Sequence, residues 1–88
     1  MSDLKNHEPV AEPASLDTLR AGEGGVVSGY RGHSAVQLRL KELGLVRGTR
    51  VLVKRFAPLG DPMELVVRGY ALSIRKKDAA QILVIRDL

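Results

Sequence analysis

The stretch RFAPLGDPMELVVRGYALSIRKKDAAQILV, residues Arg55–Val84, decides the fold of this chain. Within it, the runs MELVVRG and ALSIRK each alternate apolar with polar side chains, which is typical of half-buried antiparallel strands. A Gly-Asp-Pro turn precedes the first run, and we predict that Gly69-Tyr70 links the two runs tightly. No residue in the stretch has the surroundings of a nucleophile, so either the chemistry of the chain lies elsewhere or the chain exists to contact something larger.

Further strands are predicted around that stretch. TRVLVKRFA, residues 49–57, alternates in the same way. An earlier short strand is predicted at Gly25–Tyr30, where glycines surround Val26-Val27, and the apolar run ILVIR, Ile82–Arg86, is predicted to be the last strand. KKDAAQ, Lys76–Gln81, is predicted to be a short helical turn. Because a small open sheet would leave its edge strands unpaired, these five strands predict a small closed β-barrel in a mainly β protein with short helices.

The clearest helix lies in HSAVQLRLKELG, and we predict its bounds as Ser34–Leu43, after the first strand of the barrel. Ser34 can cap the first free amides, and Gly44 can end the helix. Three apolar residues recur at the helical period and predict one buried face, formed by Val36, Leu40 and Leu43. Farther upstream, SLDTLRAG predicts one or two helical turns, with Ser15 as their N-cap and Gly22 at their end.

The composition is that of one small folded domain. Apolar residues make up 44% of the 88 residues and charged residues 27%, whereas aromatic residues make up 3%, so the predicted core is aliphatic. The absence of cysteine excludes disulfides, thiolate metal sites and cysteine catalysis. The longest aliphatic run, ILVI, is far shorter than the ~20 residues of a membrane span, and the N-terminus lacks the apolar region of a signal peptide. We therefore expect a cytoplasmic protein.

Charge is distributed unevenly along the chain. Residues 1–15 contain three acidic residues and one lysine, a net charge of −2, which leaves +6 on the remainder of a chain whose total is +4. Residues 1–14 also contain two prolines and no periodic apolar pattern, so we predict a flexible N-terminal tail at 1–14 and a single domain at 15–88. The basic domain favours an acidic protein surface or nucleic acid as partner, or its charges simply keep it in solution.

The sequence contains no recognisable catalytic or metal-binding constellation. The two histidines, His7 and His33, are far apart, whereas a metal site needs three or four converging donors, so we expect no metal site and no cofactor. None of the serines lies in a GxSxG elbow, and we expect no enzyme. The pair Gly24-Gly25 lacks the Gly-Lys-Ser/Thr ending of a phosphate-binding loop.

A small barrel that binds nucleic acid is the alternative from a different functional class. Such barrels combine a basic groove with aromatic side chains on which bases stack. Basic residues are numerous here, but the aromatic residues Tyr30, Phe56 and Tyr70 are scattered along the chain. Charge by itself indicates nonspecific binding, so this alternative stays open beside a protein-binding function.

Three segments, in their order and spacing, resemble the FeoA family, ferrous iron transport protein A, and the related SH3-like domain of iron-dependent repressors. SLDTLRAGEGGVV is similar to the family's opening Ser-Leu…Leu…Gly, and LRLKELGLVRGTRVLV is similar to its Arg-Leu…Leu-Gly-Leu…Gly…Val signature. APLGDPMELVVRGYALSIRKKDAAQILV is similar to its Ala-Pro…Gly-Asp-Pro, Gly, Leu-x-Ile-Arg and Ala…Ile-x-Val series. The resemblance covers about Ser15–Val84.

The resemblance implies a small SH3-like β-barrel and a role in iron transport. Members of the family are small cytosolic accessories of the ferrous iron transporter FeoB, a membrane protein with a GTPase domain. The resemblance therefore implies that this chain, as a monomer or weak oligomer, interacts with the cytosolic region of FeoB. It implies no small-molecule substrate. The family's name, with its reference to a transition metal ion, does not imply that the chain binds iron. A stand-alone relative of the repressors' SH3-like domain is a further alternative, although the sequence lacks a helix-turn-helix.

Two groups of residues are candidates for the contact with a partner. Leu38 lies opposite the predicted buried stripe of the helix, and its predicted neighbours are Gln37, Arg39 and Lys41. An apolar side chain in a basic frame matches the apolar centre and polar rim of protein interfaces, although single exposed leucines are also common without any function. The loop from Pro58 to Pro62 is the second candidate, through Pro58 and Asp61.

Overall fold

The computed structural model describes residues 12–87 of the chain. Its strands are β1 (Ala14–Ser15), β2 (Gly24–Tyr30), β3 (Arg50–Phe56), β4 (Met63–Val67), β5 (Tyr70–Ile74) and β6 (Ile82–Arg86). Its helices are α1 (Ala35–Glu42) and α2 (Lys76–Ala79), with a short 3-10 turn at Leu16–Thr18. The five longer strands and α1 lie where the sequence predicted them. Of the predicted tail, residues 1–11 lie outside the described residues, and Ala14 belongs to β1.

The strands form one antiparallel sheet in the order β1-β6-β2-β3-β4-β5. β2 is central, because it pairs with β3 on one side and with β6 on the other. β1 and β5 are the two ends of the sheet, since each has a single neighbouring strand in the described part of the chain. The prediction of a small, mainly β, barrel-like protein is confirmed, with the two-residue β1 in addition to the five predicted strands. The predicted closure is not found in the described residues, because β1 and β5 are not paired with each other.

The core is filled by aliphatic side chains that alternate inward along the strands. Strands β3 to β6 contribute Val51, Val53, Met63, Leu65, Val67, Ile74, Ile82 and Val84, all of them buried. Leu16, Leu19 and Leu45 join the same cluster from the segments between strands. Because the chain has no cysteine for disulfides, burial of this apolar surface is the main source of its stability.

The backbone of β2 lies closer to its neighbours than a side chain would allow. At Gly24, a Cβ atom would lie 2.7 Å from the carbonyl oxygen of Val51 in β3. At Gly25, a Cβ atom would overlap the carbonyl oxygen of Ile85 in β6. These are contacts with backbone atoms, which cannot rotate away as the end of a flexible side chain can. Glycine at both positions therefore lets β2 join both neighbouring strands.

The buried face of α1 differs from the predicted stripe. Leu40 is buried at 1% exposure and Val36 packs against the core, as predicted. Leu43, however, is half-buried, and Gln37 is buried instead. The side chain of Gln37 is satisfied there, because its amide nitrogen donates to backbone carbonyls of the loop before the helix and to Oε1 of Gln81. This tertiary partner allows a polar residue where the apolar period predicted none.

The predicted capping roles of two serines are wrong. Ser34 occupies the N-cap position of α1, but its hydroxyl makes no capping hydrogen bond and instead donates to Oε1 of Gln81 at 2.5 Å. Ser15 also makes no side-chain cap, and its carbonyl oxygen accepts from Oγ1 of Thr18 at 2.6 Å. In the first case a partner that is distant in sequence takes the hydroxyl, which no local pattern could indicate.

The hairpin between β4 and β5 turns one residue earlier than predicted. Arg68 and Gly69 form the turn, with φ angles of 51° and 86°, and Val67 pairs directly with Tyr70. Positive φ at both central residues is typical of a type I′ turn, whose twist matches that of the flanking strands. The turn fixes which backbone groups of β5 face β4.

We predict that Gly25→Ala lowers the free energy of unfolding by about 1–3 kcal/mol, because the added methyl group must displace the β6 backbone. Gly29 is the matched control, since it lies in the same strand and a Cβ atom there meets nothing within 4 Å. Gly29→Ala should leave stability unchanged or raise it by about 0.4–1 kcal/mol, because alanine restricts the unfolded chain. Urea unfolding measures both variants, and a Gly25→Ala protein as stable as the parent would contradict the steric role.

Candidate protein-binding surface

The solvent side of α1 presents an apolar side chain beside basic ones. Leu38 is 66% exposed, and Arg39 and Lys41 are exposed with it. This placement follows from the inward orientation of Gln37 and Leu40, which occupy the opposite side of the helix. Leu38 is exposed as its position predicted, whereas Gln37, expected beside it, points into the protein. We call Leu38, Arg39 and Lys41 the α1 surface.

Two tyrosines hold the C-terminal end of α1 against the sheet. The hydroxyl of Tyr70, the first residue of β5, donates to the carbonyl oxygen of Leu43. The hydroxyl of Tyr30, the last residue of β2, donates to the carbonyl oxygen of Leu45 at 2.6 Å. These two hydrogen bonds fix the C-terminal end of the helix within the chain itself, so a ligand of the α1 surface would have little backbone left to order.

Tyr30 also shapes a shallow cavity beside the helix. Nζ of Lys41 lies 5.1 Å from the centroid of the Tyr30 ring, within the range of a cation–π contact. Both residues line a cavity of about 380 Å³, together with Gly29, Val46 and Arg47. Burial raises the pKa of Tyr30 to about 12, because the phenolate would lose its contact with water. The neutral ring therefore orients one of the two basic side chains of the α1 surface.

The loop between β3 and β4, the second predicted contact region, has a different character. Pro58 and Asp61 are both exposed, and Leu59 between them is 97% exposed. The carboxylate of Asp61 accepts a hydrogen bond from the backbone amide of Lys76 at 3.0 Å, so it holds the first residue of α2. Sequence reasoning missed Leu59, although an apolar residue between proline and glycine in a turn was a visible signal.

The two predicted contact regions are separated by the length of β3. α1 leads into the start of β3 and the loop follows its end, and a strand of seven residues spans about 20 Å. Two cavities beside the loop, of about 480 and 300 Å³, share Pro62 and Ser73 and include no residue of α1. The structure therefore does not bring the predicted residues together, but divides them into Leu38, Arg39 and Lys41 on one side and Pro58 and Asp61 on the other.

Several basic side chains are neutralised by carboxylates on neighbouring elements. The ion pairs are Arg50–Asp87 at 2.7 Å, Arg86–Glu23 at 2.9 Å, and Arg55–Glu64. The hydrogen bond from Arg55 lowers the pKa of Glu64, and the hydrogen bond from the backbone amide of Arg20 lowers the pKa of Glu23. Exposed pairs of this kind contribute little to stability, but they reduce the positive charge that is available to a polyanion.

Within residues 12–87, no group of three or more His, Cys, Asp or Glu side chains is arranged to hold a metal ion. His33 is exposed in the loop before α1, and His7 lies outside the described residues. The distinctive features of the described chain are thus exposed surfaces and shallow cavities. The fold and these surfaces define the class of protein as a small barrel-like β domain with an exposed candidate binding helix.

The chain belongs to the FeoA family, because the model of the FeoA domain matches residues 14–86. Members of this family are accessories of ferrous iron transport. The structure is similar to that of a FeoA-like protein from Clostridium acetobutylicum, with a TM-score of 0.80 and 36% identity over 85% of this chain and 87% of that one. It is also similar to FeoA of Stenotrophomonas maltophilia complexed with zinc, a procaryotic SH3 domain protein, with a TM-score of 0.73 and 26% identity over 84% of this chain and 95% of that one. The SH3-like fold that the resemblance implied is confirmed.

A relative from Porphyromonas gingivalis is an Fe(2+) transport protein A/Fe(2+) transporter FeoB fusion protein, 35% identical over 67 residues. The match covers 76% of this chain and 8% of that relative's length. IdeR of T. acidophilum shares the fold, with a TM-score of 0.75 and 23% identity over 91% of this chain and 36% of that one, which shows a likeness of fold alone. Among residues 12–87, none of the helices has the length and apolar character needed to cross a bilayer.

We predict that Tyr30 titrates with a midpoint near 12, measured as phenolate absorbance in a Tyr70→Phe variant in which Tyr30 is the remaining tyrosine. The raised pKa means that the folded state favours the neutral phenol. Its contribution to stability is therefore fully present below pH 10, the ordinary pKa, and is lost as pH rises through about 12. A midpoint near 10 in the folded protein would contradict the burial of this hydroxyl.

The variant Tyr30→Phe separates this effect from the titration of other groups. It should lose about 0.5–1.5 kcal/mol at neutral pH, because the carbonyl of Leu45 loses its donor. It should also lose less stability than the parent between pH 10 and pH 12. Equal losses in both proteins over that interval would assign the alkaline transition to other residues.

Proposed function

We propose that this chain assists ferrous iron uptake by binding the cytosolic region of the membrane transporter FeoB, and that it acts by contact and not by catalysis. The observation that carries the proposal is the fusion relative, which unites Fe(2+) transport protein A and the transporter FeoB in one polypeptide. Fusion keeps two modules at a high effective concentration, which favours modules that bind each other. Where the two are separate chains, direct binding would take the place of the covalent link.

The α1 surface fits such a contact better than the other exposed regions that the sequence predicted. Leu38 offers an apolar anchor, and Arg39 and Lys41 form a polar rim beside it. The rim is positive, so an acidic surface on FeoB would match it and accelerate the encounter. The tyrosine contacts already fix the end of the helix, which limits the entropy lost on binding.

The loop between β3 and β4 is the second candidate for the contact. Leu59 exposes nearly its whole side chain, and Pro58 precedes it. Asp61 already serves within the chain, where its carboxylate holds the backbone of Lys76. Because the charged residue of the loop is acidic and already engaged within the chain, we place the loop behind the α1 surface.

Binding to nucleic acid has less support from the geometry. Base stacking needs open faces of aromatic rings. Two of the aromatic rings already have a lysine over one face, which a stacking base would have to displace. Nζ of Lys41 lies 5.1 Å from the Tyr30 ring centroid, and Nζ of Lys76 lies 5.2 Å from the Phe56 ring centroid. Three of the arginines are paired with carboxylates. A role like that of the repressors' SH3-like domain rests on the likeness of fold alone.

We predict that Leu38→Asp abolishes binding to the purified cytosolic region of FeoB from the same organism, with little change in melting temperature. The carboxylate would place a charge at the apolar centre of the contact while the core stays intact, since Leu38 is 66% exposed. Arg39→Glu should weaken the same binding, and more strongly at low salt, where exposed charges act over a longer distance. Pull-down and calorimetry measure the binding.

Leu59→Asp is the matched control, because it introduces the same charge at an exposed leucine beyond the other end of β3. It should bind like the parent. If Leu38→Asp binds normally and Leu59→Asp does not, the contact lies in the loop and the assignment to α1 is wrong. If both variants bind normally and fold, the contact lies on neither surface.

A further inference from the structure

The outer edge of β5 carries backbone groups with no partner strand. β5 is the last strand of the sheet, and its one neighbour in the described chain is β4. The two-residue turn makes Val67 and Tyr70 a hydrogen-bonded pair, and such pairs alternate with non-hydrogen-bonded ones along an antiparallel ladder. The N–H and C=O groups of Ala71 and Ser73 therefore point away from β4. Both residues are exposed.

This edge lacks the features that normally prevent a strand from pairing with another chain. β1, at the opposite end of the sheet, is two residues long and directly follows Pro13, which has no N–H to donate. β5 is five residues long, YALSI, with neither proline nor charge. Short strands, prolines and charges are the usual protection of exposed edges. One edge is thus protected, while the other can accept a strand.

The ends of β5 are basic, which indicates what can pair with it. Arg68 precedes the strand, and Arg75 and Lys77 follow it, all three exposed. One nitrogen of the Arg68 guanidinium donates to Oγ1 of Thr49 at 3.2 Å, a neutral partner that leaves the positive charge of Arg68 in place. Antiparallel pairing of two copies centred on Leu72 would set Arg68 of each copy against the basic end of β5 in the other. This repulsion disfavours a second copy. A segment with carboxylates at its two ends would instead meet positive charge at both.

The edge lies between the two contact regions described above. At its start, Tyr70 donates to the carbonyl of Leu43 at the end of α1. Toward its end, Ser73 lines both cavities beside the β3–β4 loop, and each of them also includes Pro62. Leu72 is half-buried at this edge and leaves apolar surface for a neighbouring side chain to cover. A strand added here would therefore run from α1 toward the loop.

We propose that the free edge of β5 accepts an extended segment of a partner protein as an additional strand, with β-branched or apolar residues in its middle and acidic residues at both ends. The backbone groups of Ala71 and Ser73 provide the hydrogen bonds, and Arg68 and Arg75 select the acidic ends. The inference rests on the proposed function insofar as the partner is a protein. It is tested with a peptide, so that its failure is separate from a failure to bind FeoB.

The test uses the full chain, isotopically labelled, and the synthetic peptide EEVTVTVEE as probe. In the free protein, the amides of Ala71 and Ser73 should exchange with solvent at least about tenfold faster than those of Tyr70 and Leu72, which face β4. Saturating peptide should slow exchange at Ala71 and Ser73. The matched peptides KKVTVTVKK, with reversed charge, and EEVTPTVEE, with an interrupted strand, should bind at least about tenfold more weakly.

Two variants keep the test decisive. Ala71→Pro removes an N–H that faces away from β4, so the sheet can keep its ladder while the peptide loses a donor and at least about tenfold in affinity. If Ala71→Pro does not fold, Arg75→Glu replaces it and should weaken EEVTVTVEE while strengthening KKVTVTVKK. Unchanged exchange at Ala71 and Ser73 with peptide at about millimolar concentration, or equal binding of both charged peptides, would overturn the proposal. Protection of these amides by raising the protein concentration alone would also overturn it, in favour of a second copy.

Discussion

The close packing of the β2 backbone at Gly24 and Gly25 is the constraint on which the rest of the structure depends. β2 joins the β3-β4-β5 part of the sheet to the β6-β1 part, and a Cβ atom at either glycine would collide with a carbonyl oxygen of a neighbouring strand. A side chain at either position would push one of the two parts away. The inward-facing aliphatic residues form a single core because the two parts are held together there.

The same strand also sets the position of the candidate binding helix. β2 ends at Tyr30, whose hydroxyl fixes the carbonyl of Leu45 and whose ring lies under the ammonium group of Lys41. From the β3-β4-β5 part of the sheet, Tyr70 fixes the carbonyl of Leu43. α1 is therefore held by β2 and by the β3-β4-β5 part of the sheet. The exposure of Leu38 depends on that attachment, because the attachment buries the opposite side of the helix.

The sequence predicts the elements of the fold well where local periodicity determines them. The strands β3 to β5 follow from alternating side chains, β2 and β6 follow from short apolar runs, and α1 follows from the spacing of Val36 and Leu40. Features that depend on distant partners were not predictable in this way. The Gly24-Gly25 pair is explained by strands far along the chain, and Gln37 is buried because Gln81 lies beside it.

The same distinction between local features and features that depend on distant partners applies to the candidate site. The exposure of Leu38 could be predicted, because its position on the helix relative to Leu40 is a local property. The free edge of β5 could not, because alternation identifies a strand but not its neighbours in the sheet. Likewise, the hydrogen bond from Lys76 that occupies Asp61 joins two segments that no sequence pattern connects.

The most direct test of the account is a nuclear magnetic resonance titration of the labelled chain with the unlabelled cytosolic region of FeoB from the same organism. Binding through the α1 surface predicts saturable changes in the amide signals around Leu38, Arg39 and Lys41, while the signals of core residues such as Val53 and Leu65 stay in place. Changes confined to the β3–β4 loop, or the absence of any change at saturating FeoB, would contradict the central claim that the exposed side of α1 is where this protein meets its transporter.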